Sequence, residues 1–346
     1  MNTISFMSAN FVARELGYNM PDGWGRGDTA TSEFFAPLNT YEERLDAMLA
    51  EVAALGFKAI DIWISHLNHL WATPTHLDIA KRLLDKHKLR PVSYAGWFAN
   101  TPAELEAACQ VCLHLGIPVL GGGLPLVQTD RVAAVAILRK HGLIFAFENH
   151  PEKSAAEVLA KLGDGDEDVL GVAIDTGWFA TQGADALTEL KALFPRVKHV
   201  HLKDVLPKPA EKTGYPFKDM GHQTCELGEG IVPVRECIEY LVTHGYRGAI
   251  GIEHEPEDFD PSEDAKHSLV SVQQWFKDAI AKIAPADPVG VAIVGCGNIA
   301  DRYAAQINSY PHVKLLGAQD IDTARAEKLT GTYGGKVYET LEEVLA

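Results

Sequence analysis

Four apolar runs, LIFAFE (143–148), LGVAID (170–175), VKHVH (197–201) and GAIGIE (248–253), each close on a potential cation ligand: Glu148, Asp175, His201 and Glu253. Runs of this length, apolar on both faces, suit strands covered on both sides in a parallel sheet. Each ends on a group that is costly to bury unless it is paired, hydrogen-bonded or bound to a cation. The first three ends lie 27 and 26 residues apart (148 to 175 to 201), about one strand-plus-helix unit. Glu253 follows 52 residues later (201 to 253), after a polar insertion.

Four earlier runs, ISFMSA (4–9), KAIDIW (58–63), RPVSYA (90–95) and PVLGGG (118–123), complete a set of eight. Amphipathic stretches separate them. One starts at Thr40, with Glu43 as capping-box partner and Gly56 as its stop; another starts at Thr101-Pro102. Eight alternations predict an α/β chain whose residues 1–283 form a (β/α)₈ TIM barrel, with the strand C-termini gathered at one mouth. Three carboxylates and an imidazole there make a hard O/N site, with Mn²⁺ the leading expectation and Mg²⁺, Co²⁺ or Zn²⁺ alternatives.

Two long segments, 14–39 and 204–232, are Gly/Pro-rich and carry aromatics, so lids or substrate walls are expected there. His66 and His69 are candidates for the mouth, and Trp63, Tyr94, Trp97 and Trp178 for stacking on a sugar ring. His199 is expected to point away from His201, Asn149 and His254 away from the neighbouring glutamates, and Glu255 to return to the ligand side. Cys109 and Cys112 form a C-x-x-C inside a helical run and read as buried helix cysteines.

Residues 284–288 read as a linker. A second unit, 289–346, runs from an apolar strand into Gly295-x-Gly297-x-x-Ala300, a helix, and a second strand ending in Asp320. That order is the dinucleotide-binding fingerprint, in which glycines admit a pyrophosphate at a helix N-terminus and the acid meets ribose hydroxyls. The unit reads as an incomplete, Rossmann-like βαβ fragment. NAD(P) is not expected to bind it productively.

The net charge of −16 argues against a nucleic-acid partner. Five cysteines suit a reducing compartment. No signal-peptide pattern precedes Ile4 and no run is long enough to span a bilayer, so a cytoplasmic protein is expected. A homo-oligomer is left open.

The segments FENH, IDTGW, HVHLKD, LGEG and GIEHE resemble the xylose-isomerase-like barrel superfamily of sugar isomerases and epimerases, over about residues 1–283. The tail resembles the start of the glucose–fructose oxidoreductase/inositol dehydrogenase family. The resemblance implies that Glu148, Asp175, His201 and Glu253 hold a divalent metal, that Glu148 and Glu253 are the acid and base, and that His150 and Lys203 contact substrate oxygens. It also implies a small keto-sugar or polyol substrate and an oxidoreductase domain or subunit as partner. Where the superfamily frequently has a histidine three residues after the aspartate, this chain has Trp178, which argues against DNA cleavage.

The chemistry expected from such a set is removal of a proton beside a polarised carbonyl, giving an enediolate. Its return makes an isomerase or epimerase, the first expectation. Loss of water or an aglycone from a 3-keto sugar makes a lyase, the second. A non-catalytic sugar-binding or oxidoreductase-partner scaffold is the third.

Overall fold

The computed structural model describes residues 2–20, 23–211, 216–283, 288–310 and 312–345. It divides into two compact units, Met1–Trp275 and Phe276–Ala346. Of the expected linker, residues 284–287 lie outside the described residues.

In the first unit the strands are β1 (Ile4–Met7), β2 (Ala59–Trp63), β3 (Arg90–Trp97), β4 (Val119–Gly123), β5 (Ile144–Glu148), β6 (Leu170–Asp175) and β7 (Val197–Leu202). A hairpin of β8 (Asp204–Pro207) and β9 (His222–Cys225) comes next, then β10 (Ile250–Ile252). The closed barrel runs β1-β10-β7-β6-β5-β4-β3-β2, every pairing parallel, while β8 and β9 pair antiparallel outside it. The apolar runs become strands because helices cover their outer face and the barrel interior their inner one; β2, β4 and β6 are buried along their whole length.

Local signals set most helix ends. Thr101 and Glu104 form a reciprocal capping box with Pro102 at the first position, and Gly116 ends that helix at φ 72°. The expected Thr40–Glu43 box does not form. The helix starts at Leu38 behind Pro37, and Thr40 Oγ1 donates to Pro37 O at 3.2 Å. Proline presets the backbone and nucleates the helix a few residues earlier than the hydroxyl would. Cys109 and Cys112 are buried and unpaired on the helix Pro102–Leu115, and burial pushes the Cys109 thiol up to about 12.

The second unit is a three-stranded parallel sheet in the order β11 (Val289–Val294), β12 (Val313–Gln319), β13 (Lys336–Val337). Its small core joins the helices Ala300–Asn308 and Thr323–Tyr333 to β12 through Ala304, Leu315, Ala318, Ala326 and Leu329. Gly295 takes φ 86°, which the turn after β11 requires. It is a partial Rossmann-like unit. Asp320 is engaged with that turn: its carboxylate accepts Cys296 N–H at 2.5 Å and Asp322 N–H at 2.8 Å.

Candidate active site

Glu148 and Asp175 are the last residues of β5 and β6, His201 lies near the end of β7, and Glu253 directly follows β10. Barrel closure brings all four to one mouth, each at most 3 % exposed. Backbone clamps set their positions. The Asn149 amide donates to Asp175 O at 2.9 Å and accepts Asp175 N–H at 2.8 Å, tying β5 to β6. Thr176 Oγ1 donates to Lys203 O at 2.8 Å and accepts Lys203 N–H at 2.9 Å. Asn10 Oδ1 accepts the His254 and Glu255 N–H groups at 2.6 and 3.2 Å, holding the segment in which Glu255 takes φ 49°.

The side chains form one charged network. His201 Nδ1 is hydrogen-bonded to Glu148 Oε1 and lies 3.1 Å from Glu253 Oε2. His150 spans the next pair, with Nδ1 3.7 Å from Glu148 Oε2 and Nε2 3.9 Å from Asp175 Oδ2. Asp175 divides its oxygens: Oδ1 caps the helix Thr176–Thr181 by accepting Trp178 N–H at 3.0 Å, and Oδ2 stands 2.8 Å from Lys203 Nζ. The Lys203 ammonium is fully buried, 2.5 Å from Glu255 Oε2 and 3.6 Å from Glu253 Oε2.

Burial alone would raise the Glu148 carboxyl, but the charges of His201 and His150 outweigh it and hold it at about 2. Burial would lower His201 and Lys203, yet the surrounding carboxylates raise both well above their usual ranges. Glu255 goes the other way. Burial, then the Glu253 charge, pushes it up to about 7 against the opposing pull of Lys203.

Above the network lies a cavity of about 210 Å³, walled by Trp24, Trp63, Trp97, Trp178 and Phe217 and floored by Glu148, His150, Glu253 and Glu255. Trp97 stands at the rim, 58 % exposed. Trp178 meets the His150 ring edge-on at 4.5 Å and Phe217 at 4.9 Å. The two long segments supply part of the wall: Trp24 opens the helix Trp24–Phe35, and Phe217 sits on the short helix Pro216–Asp219 beside β9.

The structure therefore brings together Glu148, Asp175, His201, Glu253, His150, Trp178 and Trp97, with Lys203 directly beneath. His66 is elsewhere. It is 1 % exposed, packs on Phe35, and lines a separate cavity of about 250 Å³ with Phe11, Arg14 and Glu51. His199 corrects the sequence expectation. Residues two apart on a strand share a face, so its ring lies beside that of His201, 4.8 Å away, inside the barrel. Trp24, Phe217 and Asp61 were not singled out by sequence. For Asp61 a signal existed: a charge in the middle of the apolar run KAIDIW.

A divalent cation fits this donor set. Asp175 Oδ2 and Glu253 Oε2 are buried against cationic side chains, Lys203 Nζ at 2.8 Å and His201 Nδ1 at 3.1 Å, and oxygens and nitrogens of Glu148, His201 and Glu253 lie within 4.8 Å of one another. Carboxylates gathered this closely away from water need positive charge between them. Three carboxylates and an imidazole would hold a hard or borderline ion. Among the described residues no helix is long and apolar enough to cross a membrane.

Comparison with known proteins agrees with this architecture. Residues 289–346 match the model of an oxidoreductase family with an NAD-binding Rossmann fold. An inosose dehydratase of Salmonella agona is 27 % identical over 152 residues, covering 41 % of this chain and 50 % of the relative, so the chain spans about half the length of such relatives. A magnesium-bound xylose isomerase-like barrel from Mycobacterium smegmatis superposes with a TM-score of 0.55 at 16 % identity, covering 70 % of this chain and 90 % of that one. A xylose isomerase domain protein from Planctomyces limnophilus gives 0.53 at 19 %, covering 68 % and 92 %. Residues 49–278 match the xylose isomerase-like TIM barrel model, and with the closed eight-stranded barrel this places the chain in that family.

Proposed function

We propose that the barrel is a divalent-metal-dependent enzyme that removes a proton beside the carbonyl of a small keto-sugar or keto-cyclitol and then expels the β-hydroxyl as water. The observation that carries this is the convergence of four buried strand-end groups, three carboxylates and an imidazole, at the base of an aromatic-walled cavity. Glu148, Asp175, His201 and Glu253 would hold the cation, which when bound supplies Lewis-acid polarisation of the carbonyl and stabilises developing negative charge.

The protein's own groups do the rest. Glu148 and Glu253, from strands on different parts of the barrel, face the cavity as the acid–base pair, Glu253 taking the proton from carbon and Glu148 returning one to carbon where the hydroxyl stays. General acid–base help of this kind is worth about 10²–10⁴-fold. Glu255, on the same floor and hydrogen-bonded to Lys203, is placed to return a proton to a departing hydroxyl, so that the C–O bond breaks, a C=C bond forms and water leaves. The tryptophans exclude water and offer flat apolar faces to the C–H side of a ring. Several relatives carry the name inosose dehydratase, which supports elimination over simple return of the proton. Epimerisation or isomerisation shares the first proton transfer and differs only in the second step, where the proton returns to carbon and the hydroxyl stays.

The test is incubation with an inosose in D₂O with Mn²⁺, then ultraviolet absorbance and mass spectrometry. A new absorbance from an unsaturated ketone supports the proposal. Deuterium incorporation without absorbance would replace it with epimerisation or isomerisation. Neither signal, across a panel of keto-sugars with metal bound, would leave a binding scaffold.

A further inference from the structure

Beneath the metal-binding floor the barrel holds a polar layer where branched apolar side chains are the rule. Ser5, Asp61, Ser93 and His199 come from β1, β2, β3 and β7, and each is at most 1 % exposed. Both Asp61 oxygens are engaged. Oδ2 accepts the Ser5 hydroxyl and Oδ1 accepts that of Ser93 at 2.5 Å, while His199 Nε2 lies 2.8 Å from Oδ1. Taking a carboxylate this far from water costs several kcal/mol before compensation. A valine in its place would avoid that cost, so the layer needs a purpose beyond filling space.

The ring above supplies one. His201 turns Nδ1 to Glu148 and Glu253, while its Nε2 is buried without a hydrogen-bond partner. Gly251 marks the space on that other side: a Cβ there would sit 2.9 Å from both Asp61 Oδ2 and His201 Cδ2. The Cδ2 edge, next to Nε2, therefore faces the carboxylate across a gap that only glycine leaves open. An Asp61 oxygen and a nitrogen from each of His199 and His201 all lie within 4.8 Å of one another. Which imidazole nitrogen is free to bind is set by the group that the other one meets.

We infer that Asp61 is a positioning residue of the metal centre: its carboxylate, clamped by two serine hydroxyls, holds the His199–His201 pair from below and keeps Nδ1 of His201 turned to Glu148 and Glu253. The inference rests on the metal reading above. Asp61 itself touches neither cation nor substrate. It acts by fixing the tautomer and tilt of His201.

The experiment compares wild type with Asp61→Asn in the full chain. Mn²⁺ and Zn²⁺ affinity is measured by competition with a chelating dye, imidazole tautomers by long-range ¹H–¹⁵N NMR on the Zn²⁺-loaded protein, and ring orientation in the metal-free protein by nuclear Overhauser contacts between His201 Hδ2 and Gly251. The expected result is a 10–100-fold loss of affinity, with the Zn²⁺-loaded His201 passing from a ring that presents Nδ1 to the cation and keeps its proton on Nε2 to a mixture of the two arrangements. Ser93→Ala loosens the clamp without removing the charge and should weaken binding in the same direction by less; it decides the matter if Asp61→Asn does not fold. Wild-type affinity and an unchanged tautomer in the folded variant would overturn the inference. So would two cations per wild-type chain falling to one in Asp61→Asn, which would make Asp61 a ligand. If wild type binds no cation the metal reading fails, while the His201–Gly251 contacts of the metal-free protein, kept in wild type and lost in Asp61→Asn, still decide whether Asp61 orients His201.

Discussion

Replacing Lys203 by methionine removes one cation from a buried set of acids while keeping most of the side-chain volume. Its ammonium lies 2.5 Å from Glu255, 2.8 Å from Asp175 and 3.6 Å from Glu253, all nine-tenths or more buried. Breaking a buried pair by removing one partner costs about 3–5 kcal/mol, because the remaining charge is left uncompensated. At roughly 2–4 °C per kcal/mol for a domain of this size, metal-free Lys203→Met should melt roughly 6–20 °C below wild type. A divalent cation on Asp175 and Glu253 would restore the missing charge, so saturating Mn²⁺ should raise the variant's midpoint by more than it raises that of wild type. At one Mn²⁺ concentration, set at 100 times the wild-type Kd, binding contributes about 2.7 kcal/mol to wild type and more to a variant that binds more tightly, and the difference between the two shifts is the diagnostic quantity. Circular dichroism melts at one scan rate, in EDTA and in Mn²⁺, supply all four midpoints. A metal-free variant within about 2 °C of wild type, less than the smallest shift expected from losing the pair, or equal metal shifts, would show that Lys203 does not neutralise this site.

Asp175→Asn should lose bound metal, read by mass spectrometry on the purified protein against wild type. Glu253→Gln should abolish exchange of solvent deuterium into the substrate carbon beside the carbonyl, a loss of about 10²–10⁴-fold; surviving exchange would remove Glu253 from the chemistry. Glu148 is held at about 2 against an ordinary 4.5, so between these values the folded chain binds fewer protons than the unfolded one. That contribution is complete above about 4.5 and is lost as pH falls toward 2, so Glu148→Gln should flatten this part of the metal-free acid-denaturation curve. The second unit, whose Asp320 is already engaged by its own turn, should bind NADH weakly or not at all; micromolar affinity in a fluorescence titration would refute this.

All eight barrel strands were legible because each is a local apolar run with its own stop signals. The four strand-end ligands were legible for a related reason: a parallel barrel gathers strand C-termini, so the position of a residue along its strand predicts where it goes. Local signals failed where a neighbour competed. Pro37 displaced the Thr40 cap, and on β7 the two-residue strand period puts His199 on the same face as His201 and not opposite it.

The sequence alone determined the alternation of strands and helices, the mouth at which Glu148, Asp175, His201 and Glu253 meet, and the glycine-turn unit that follows in the chain. Each of these follows from periodicity and spacing along the chain. Only the tertiary structure decided that Trp24 and Phe217, from segments roughly 190 residues apart (24 to 217), complete one cavity wall. It likewise decided that His66 faces a different cavity, and that Asp61 lies under His201 with Ser5 and Ser93 on either side. Those placements depend on register across four strands and on loop paths. Both are fixed by packing between residues far apart in the chain, so no local pattern encodes them.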